Sequence, residues 1–208
     1  MPDAMTMAQV EREELASFLS TLTPDDWEQP SLCDGWRVRD VAAHIVSYDT
    51  LDAQSLATRL RRGHFTLDGS NAAGVDASQG LTPPEILETF SRSTRPRGLT
   101  AAFGGRVALL DTMIHQQDIR RALACPRTIP TDRLRAALSF SRIALALGQP
   151  WRTRGLSLIT TDLDWRSGFG KEVRGPAEPL LMTIAGRRGC ARELTGVGVG
   201  VLRRRIGD

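Results

Sequence analysis

The sequence predicts a mainly α-helical fold, in which a helical bundle is followed by a small α+β domain. Two observations lead to this prediction. Up to Pro150, apolar residues recur at helical spacing between breaks rich in Pro and Gly. After Pro150 the pattern changes, and residues 156–162 form a short apolar and β-branched run that is typical of a strand. We therefore expect the bundle over residues 8–149 and the α+β domain over residues 150–208.

The first half of the bundle can be divided further. Residues 1–8 are expected to be a loose tail, and helical spacing predicts helices over residues 8–22 and 38–61. Residues 62–81 are rich in Gly, Ser, Asn and Asp, and this composition predicts a loop. The segment Thr82-Pro83-Pro84-Glu85 has the features of a helix start, because Thr is a good N-cap, Pro suits the first turn and Glu can complete a capping box.

The same helix and strand signals predict the elements after residue 104. The helix that contains Asp111 and His115 is expected to follow the Gly104-Gly105 pair and to end near Cys125-Pro126, and another helix is expected from Thr131 to about Leu147. In the C-terminal domain, residues 170–175 are a candidate return strand for residues 156–162. Two last helices are expected, one between Pro176 and Gly186 and one over residues 197–205.

Composition excludes several classes of function. The net charge is +3, with 26 Arg and one Lys, and acidic residues are interspersed almost throughout, so we do not expect nucleic-acid binding. No apolar run approaches the length of a membrane span, and the N-terminus lacks the pattern of a secretory signal. A cytoplasmic protein is the resulting expectation. The three cysteines Cys33, Cys125 and Cys190 are far apart in sequence and predict free thiols rather than a disulfide framework.

The first candidate functional residues are Asp111 and His115. They are four residues apart in a predicted helix, so their side chains lie one turn apart on the same face. A carboxylate and an imidazole at this spacing can hold one metal ion, although such a pair is more often a hydrogen bond on a helix surface. A third ligand would have to come from elsewhere in the chain. The other histidines are His44, beside an apolar helical stripe, and His64, in the predicted loop and expected to be exposed.

Three segments together resemble the mycothiol-dependent maleylpyruvate isomerase family, within the DinB-like superfamily. The first is residues 30–44, which include Ser31-Leu32-Cys33-Asp34-Gly35-Trp36 and end in an Ala-Ala-His motif at His44. The second is the helix that contains Asp111-x-x-x-His115-Gln-Gln-Asp-Ile-Arg, and the third is residues 161–187, which are similar to the family's small, sterol-carrier-like C-terminal domain. The abundance of Arg over Lys fits a GC-rich genome such as those of the actinobacteria, which make mycothiol.

The resemblance implies a divalent metal, with zinc expected, held by His44, Asp111 and His115. The family's commonest carboxylate ligand is Glu, and Asp111 is shorter by one methylene group, or roughly 1.5 Å. The resemblance also implies mycothiol as a cosubstrate. The expected function is a metal-dependent isomerisation, or a thiol transfer to a small electrophile. The alternative is a non-catalytic, metal-stabilised bundle that binds a small molecule or a partner protein.

Arg174 is the candidate for binding the substrate. It precedes a predicted helix start in the C-terminal domain, and a guanidinium group can bind a carboxylate through two hydrogen bonds. The alternative is that Arg174 is an ordinary surface residue of a strand. Asp40, four residues before His44, is a candidate to orient that histidine, or else belongs only to the first turn of its helix. Trp36 is expected to be a core or interface aromatic.

Overall fold

The computed structural model describes residues 3–144 and 149–208, and it confirms the mainly α fold class. The chain divides by packing into two compact units, Met1–Arg127 and Thr128–Asp208. The helix that begins at Thr131 packs within the second unit. The domain boundary expected at residues 149/150 stays a prediction.

The regular elements described in the first unit are all helices. Its elements are α1 (Ala4–Leu19), α2 (Pro24–Glu28), α3 (Val38–Ser47), α4 (Ala53–Arg62), α5 (Leu67–Ser78), α6 (Pro83–Arg92), a 3-10 helix (Gly98–Ala101) and α7 (Arg106–Ala122). Helix α7 packs against α1 and α3 and is buried over most of its length. The core contains large apolar side chains from five of these helices, among them Leu15, Trp27, Ile45, Phe90 and Ile119.

The second unit combines helices with a small sheet. Its elements are α8 (Thr131–Ser141), α9 (Gln149–Thr153), β1 (Leu156–Thr160), β2 (Arg166–Gly168), β3 (Lys171–Gly175), α10 (Ala177–Ile184), a 3-10 helix (Cys190–Glu193) and α11 (Val199–Ile206). The strand order is β2-β1-β3. The part of the expected 131–147 helix at residues 145–148 lies outside the described residues. No helix among the described residues is both long and apolar enough to span a membrane.

Three expectations for the first unit were wrong. The chain is helical from Ala4, not from residue 8, because the Asp3 side chain caps α1 by accepting a hydrogen bond from Thr6 N at 2.9 Å. The helix expected over residues 38–61 is two helices, because Asp52 caps a new helix through Ser55 N at 2.7 Å. The loop expected over residues 62–81 contains α5, whose N-cap is Thr66.

The expected hairpin in the second unit was also wrong. The segment Lys171–Gly175 does pair with β1, but the two strands are parallel, with Leu158 beside Val173. The antiparallel partner of β1 is β2, a segment that lies between the two expected strands. The chain passes from β2 to β3 across the start of β1, where Lys171 N donates to Gly155 O at 3.2 Å. Alternation of residue types reports the faces of a strand but not its direction, so the pattern could not distinguish the two arrangements.

A buried ion pair fixes the end of α3 in the first unit. Arg12 on α1 donates to both carboxylate oxygens of Asp49, at 3.0 and 2.9 Å, and to Ser93 O at 2.7 Å. Asp49 Oδ1 also accepts hydrogen bonds from Arg97 N and the Thr100 hydroxyl. The side chains of Arg12 and Asp49 are 0% and 1% exposed. These bonds hold α1, the end of α3 and the segment before α7 together.

Candidate metal centre

Helices α3 and α7 bring together one carboxylate and two imidazoles. Asp111 Oδ1 lies 3.8 Å from Nε2 of His44 and 3.5 Å from Nε2 of His115. The ring centroids of the two histidines are 4.8 Å apart. His44 and His115 are buried, whereas the Asp111 side chain is 26% exposed. The three donor atoms therefore converge at a point that is open to solvent on the side of Asp111.

The spacing of these donors fits a metal ion better than direct hydrogen bonds. A hydrogen bond would bring nitrogen and oxygen to about 2.7–3.2 Å, which is shorter than both separations. Ligand atoms about 2.0–2.1 Å from a tetrahedral zinc ion lie roughly 3.3–3.5 Å from one another. The observed 3.5 and 3.8 Å are close to that spacing. Because Asp111 already reaches between the two imidazoles, its shorter side chain does not prevent it from serving as the carboxylate ligand.

The other nitrogen of His115 is held by a buried carboxylate. Nδ1 of His115 lies 2.9 Å from Oδ2 of Asp118, whose side chain is 0% exposed. The same oxygen accepts a hydrogen bond from the Cys33 thiol at 3.1 Å. A buried carboxylate needs donors, so this arrangement places a proton of His115 on Nδ1 and directs Nε2 at the site.

The group Cys33, His115 and Asp118 is itself close enough to hold an ion. Its separations of 2.9 and 3.1 Å are, however, those of hydrogen bonds. We therefore interpret this second group as the hydrogen-bonded support of His115 and not as a second metal site.

A short loop before α3 positions Cys33 at this cluster. Trp36 N donates to Cys33 O at 3.0 Å, which closes a tight turn, and Gly35 in that turn has φ = +77°. Only glycine adopts this backbone conformation without strain, which accounts for the Asp34-Gly35 pair in the motif. The loop is tied to α7 by a hydrogen bond from Leu32 N to Asp118 O at 3.2 Å.

Aromatic rings enclose the two histidines. The Trp36 ring lies 5.1 Å from the ring of His44 and 6.4 Å from that of His115, centroid to centroid. Tyr48 meets His44 edge-on at 6.1 Å. Nδ1 of His44 is buried and has no hydrogen-bond partner among the described residues, so packing between these rings sets the orientation of this imidazole. Trp36, expected to be a core or interface aromatic, lies against both histidines of the candidate site.

His44, Asp111 and His115 also shift one another's pKa values. Burial lowers the pKa of His44 and so favours the neutral imidazole, the form that binds a metal. Burial alone would lower the pKa of His115 and raise that of Asp111. Their mutual attraction outweighs burial, so the pKa of Asp111 is lowered and that of His115 is raised. Without an ion, these opposite shifts favour the aspartate anion and stabilise the protonated form of His115.

The other residues singled out from the sequence lie elsewhere. His64 is exposed, as expected. Asp40 does not orient His44, because its carboxylate binds the backbone and guanidinium of Arg37 at 2.9 to 3.2 Å. Arg174 is exposed on β3, where its Nε lies 3.3 Å from Glu172.

Sequence reasoning missed the roles of Cys33, Trp36 and Asp118. Asp118 follows His115 by three residues and so had a local signal, because residues three apart on a helix are neighbours. The contacts of Cys33 and Trp36 with the histidines join residues distant in sequence, and no local pattern could predict them.

The N-terminal part of the chain matches a known family. Residues 8–98 fit the family model described as the mycothiol maleylpyruvate isomerase N-terminal domain. The match runs from α1 to α6 and contains His44, while Asp111 and His115 follow it on α7.

Two solved structures share the fold. A crystal structure of a histidine-to-alanine variant of the mycothiol-dependent maleylpyruvate isomerase is similar with a TM-score of 0.59 and 15% sequence identity. A second crystal structure of the mycothiol-dependent maleylpyruvate isomerase has a TM-score of 0.54 and 14% identity. Each match covers 93% of this chain and 91% of the other. No curated protein matches the chain significantly.

Proposed function

We propose that this protein is a metal-dependent enzyme that uses a low-molecular-weight thiol, mycothiol, to isomerise a small electrophile or to transfer the thiol to it. The observation that carries the proposal is the convergence of His44, Asp111 and His115 on one point with an open side. Three protein ligands and an open position are typical of catalytic zinc sites, whereas structural sites have four protein ligands.

Each residue of the cluster has a proposed role. His44 and His115 supply neutral nitrogen ligands, and Asp111 supplies the charge that makes the site attractive to a cation. Asp118 holds His115 in the tautomer that binds a metal. Trp36 and Tyr48 restrict water around the imidazoles, and a lower local dielectric strengthens the electrostatic interactions of the site.

The proposed chemistry is that of a thiolate nucleophile. A divalent ion in this site would favour the thiolate form of a bound thiol over the neutral thiol. In an isomerisation, the thiolate adds to a carbon–carbon double bond, the resulting single bond rotates, and the thiolate leaves as the double bond re-forms. The thiol is then regenerated. In a transfer, the thiolate displaces a leaving group and stays on the product.

Arg174 is proposed to bind a carboxylate of the substrate. Its exposed guanidinium lies 3.3 Å from the carboxylate of Glu172, and an exposed ion pair of this kind contributes little and exchanges easily. A substrate carboxylate could therefore replace Glu172 as its partner. Arg174→Gln should raise the KM for a carboxylate-bearing substrate more than it lowers kcat, because binding of a remote group is lost.

The first experiment is elemental analysis of the purified protein after zinc supplementation. About one divalent ion per chain is expected in the unsubstituted protein. His44→Ala, Asp111→Ala and His115→Ala should each lose it, while His64→Ala is the matched control for an exposed histidine and should retain it. Absence of metal from the unsubstituted protein would overturn the proposal.

Thiol turnover then distinguishes an enzyme from the alternative. An enzyme should consume mycothiol with an electrophile, or isomerise an unsaturated acid in its presence, and His115→Ala should abolish this while the circular dichroism spectrum is unchanged. A metal-stabilised binding bundle should lose melting temperature when the metal is removed and show no thiol-dependent turnover. That second result would overturn the catalytic part of the proposal and leave the metal site standing.

A further inference from the structure

The first unit contains a cavity of about 510 Å³ that is distinct from the candidate metal centre. Helices α3, α4, α5 and α6 surround it, and none of His44, Asp111 and His115 lines it. Its size falls within the range of about 300–1,000 Å³ that is usual for small-molecule sites. The residues described around it include two arginines, Arg59 and Arg62, and no aspartate or glutamate.

Arg59 is buried in the wall of this cavity, with only 7% of its surface exposed. Its Nε donates to Ser70 O and its Nη1 to the Ser47 hydroxyl, both at 2.8 Å. The guanidinium carbon lies 3.7 Å from the centre of the Tyr48 ring. Nη2 is buried and has no hydrogen-bond partner within residues 3–144 and 149–208. Arg59 forms no ion pair with a carboxylate in the described part of the chain, unlike the buried Arg12.

The backbone makes room for this guanidinium. A Cβ atom added at Gly74 would lie 1.9 Å from Nη2 of Arg59 and 2.1 Å from its central carbon. Gly74 itself lines the cavity. The unpartnered nitrogen therefore lies at the cavity wall, where α5 approaches α4 as closely as glycine allows.

A buried cation without an anion is costly, and an anion in the adjacent cavity would remove that cost. Leaving a buried donor unsatisfied costs about 1–3 kcal/mol, and more for a charged group. Arg62, on the same helix and exposed, adds a second positive charge at the cavity edge. The other residues that line the cavity are partly apolar and partly polar. Its apolar residues include Val46, Leu51, Leu81 and Ile86, and the hydroxyl-bearing ones are Ser47, Thr50, Ser55, Thr58, Ser78 and Thr89.

We propose that this cavity is a binding site for a small organic carboxylate. The carboxylate would accept hydrogen bonds from Arg59 and Arg62, and the apolar body of the ligand would pack against Val46, Leu81 and Ile86. A guanidinium group is suited to this because it presents several donors in one plane. The site is separate from the metal centre, since none of His44, Asp111 and His115 lines it, although the Tyr48 ring lies against both Arg59 and His44.

The test is a calorimetric titration of the full-length, metal-free protein with octanoate. Octanamide is the matched neutral ligand, because it has the same chain and lacks the charge. We expect one octanoate to bind per chain, and octanamide to bind at least tenfold more weakly. The His115→Ala variant should bind octanoate as the unsubstituted protein does, which separates this site from the metal centre.

Two pairs of variants locate the site. Arg62→Gln should weaken octanoate binding about tenfold, whereas Arg61→Gln, at an exposed neighbour that does not line the cavity, should leave it unchanged. Ala77→Phe should fill part of the cavity and abolish binding. Ala72→Phe, on the same helix but outside the cavity wall, is its control. Both alanines are exposed, so neither change should unfold the protein.

Several results would overturn the proposal. They are equal binding of octanoate and octanamide, octanoate binding that survives Ala77→Phe, and equal effects of the Arg62 and Arg61 substitutions. Absence of octanoate binding together with binding of inorganic phosphate would also overturn it, because the cavity would then select a different class of anion.

Discussion

The carboxylate of Asp118 lies 2.9 Å from Nδ1 of His115, on the side of the imidazole opposite to Asp111. Helix α7 therefore supplies the candidate metal ligand His115 and, one turn earlier, the candidate ligand Asp111. It also supplies Asp118, which fixes the orientation of His115. Because all three residues are on α7, helix geometry fixes the positions of their backbones relative to one another. This gives α7 the largest share in building the site.

Asp118→Asn should weaken metal binding by about 10- to 100-fold, the usual effect of losing a group that orients a ligand. The amide of an asparagine there can donate a hydrogen bond to Nδ1, and this would place the proton of His115 on Nε2, where the metal should bind. Competition with a chromogenic chelator measures the affinity. Asp76→Asn, at an exposed carboxylate on α5, is the control. Equal affinities of Asp118→Asn and the unsubstituted protein would contradict the proposed support of His115.

Zinc should raise the melting temperature of the metal-free protein. A ligand that binds only the folded state at about 100 times its Kd adds about 2.7 kcal/mol to the free energy of unfolding. For a chain of this size that is roughly 5–10 °C. The rise should vanish in His115→Ala and persist in His64→Ala, as differential scanning calorimetry can show. A rise of the same size in both variants would mean that zinc binds elsewhere.

Asp49→Ala should destabilise the protein by about 3–5 kcal/mol, because it leaves the buried Arg12 guanidinium without its carboxylate. Urea unfolding followed by circular dichroism measures the change. Asp52→Ala removes only a helix cap from an exposed position, and its expected cost is about 1 kcal/mol. Similar losses in the two variants would show that the Arg12–Asp49 pair contributes less than its burial implies.

Gly74→Ala should destabilise the protein by about 1–3 kcal/mol, because the added methyl group overlaps the guanidinium of Arg59. Gly80→Ala is the matched control. A Cβ atom at Gly80 meets no other atom within 4 Å, so this change should be neutral or slightly stabilising. Thermal unfolding of the two variants side by side is the measurement. A stable Gly74→Ala protein would show that Arg59 can move away from the cavity wall.

The sequence predicted those structural elements that depend on contacts between residues a few positions apart. The start of α6 was predicted from Thr82 and Glu85, and both the backbone N–H and the hydroxyl of Thr82 donate to that glutamate at 2.7 Å. The placement of Asp111 and His115 on one helix face was predicted for the same reason, since four residues make about one turn. Helix α5 was missed because its glycines lower helix propensity, and the close approach that requires Gly74 comes from a neighbouring helix.

The sequence by itself determined the mainly helical fold class and the spacing of Asp111 and His115, because helical periodicity and capping act between neighbours in the chain. Only the tertiary structure decided that His44 Nε2 lies 3.8 Å from Asp111 and that Cys33 and Trp36 contact the site. It also decided that Arg59 has no carboxylate partner in the part of the chain that the structure describes. These relationships depend on how α3, α4 and α7 pack, and packing is set by the fit of many side chains at once.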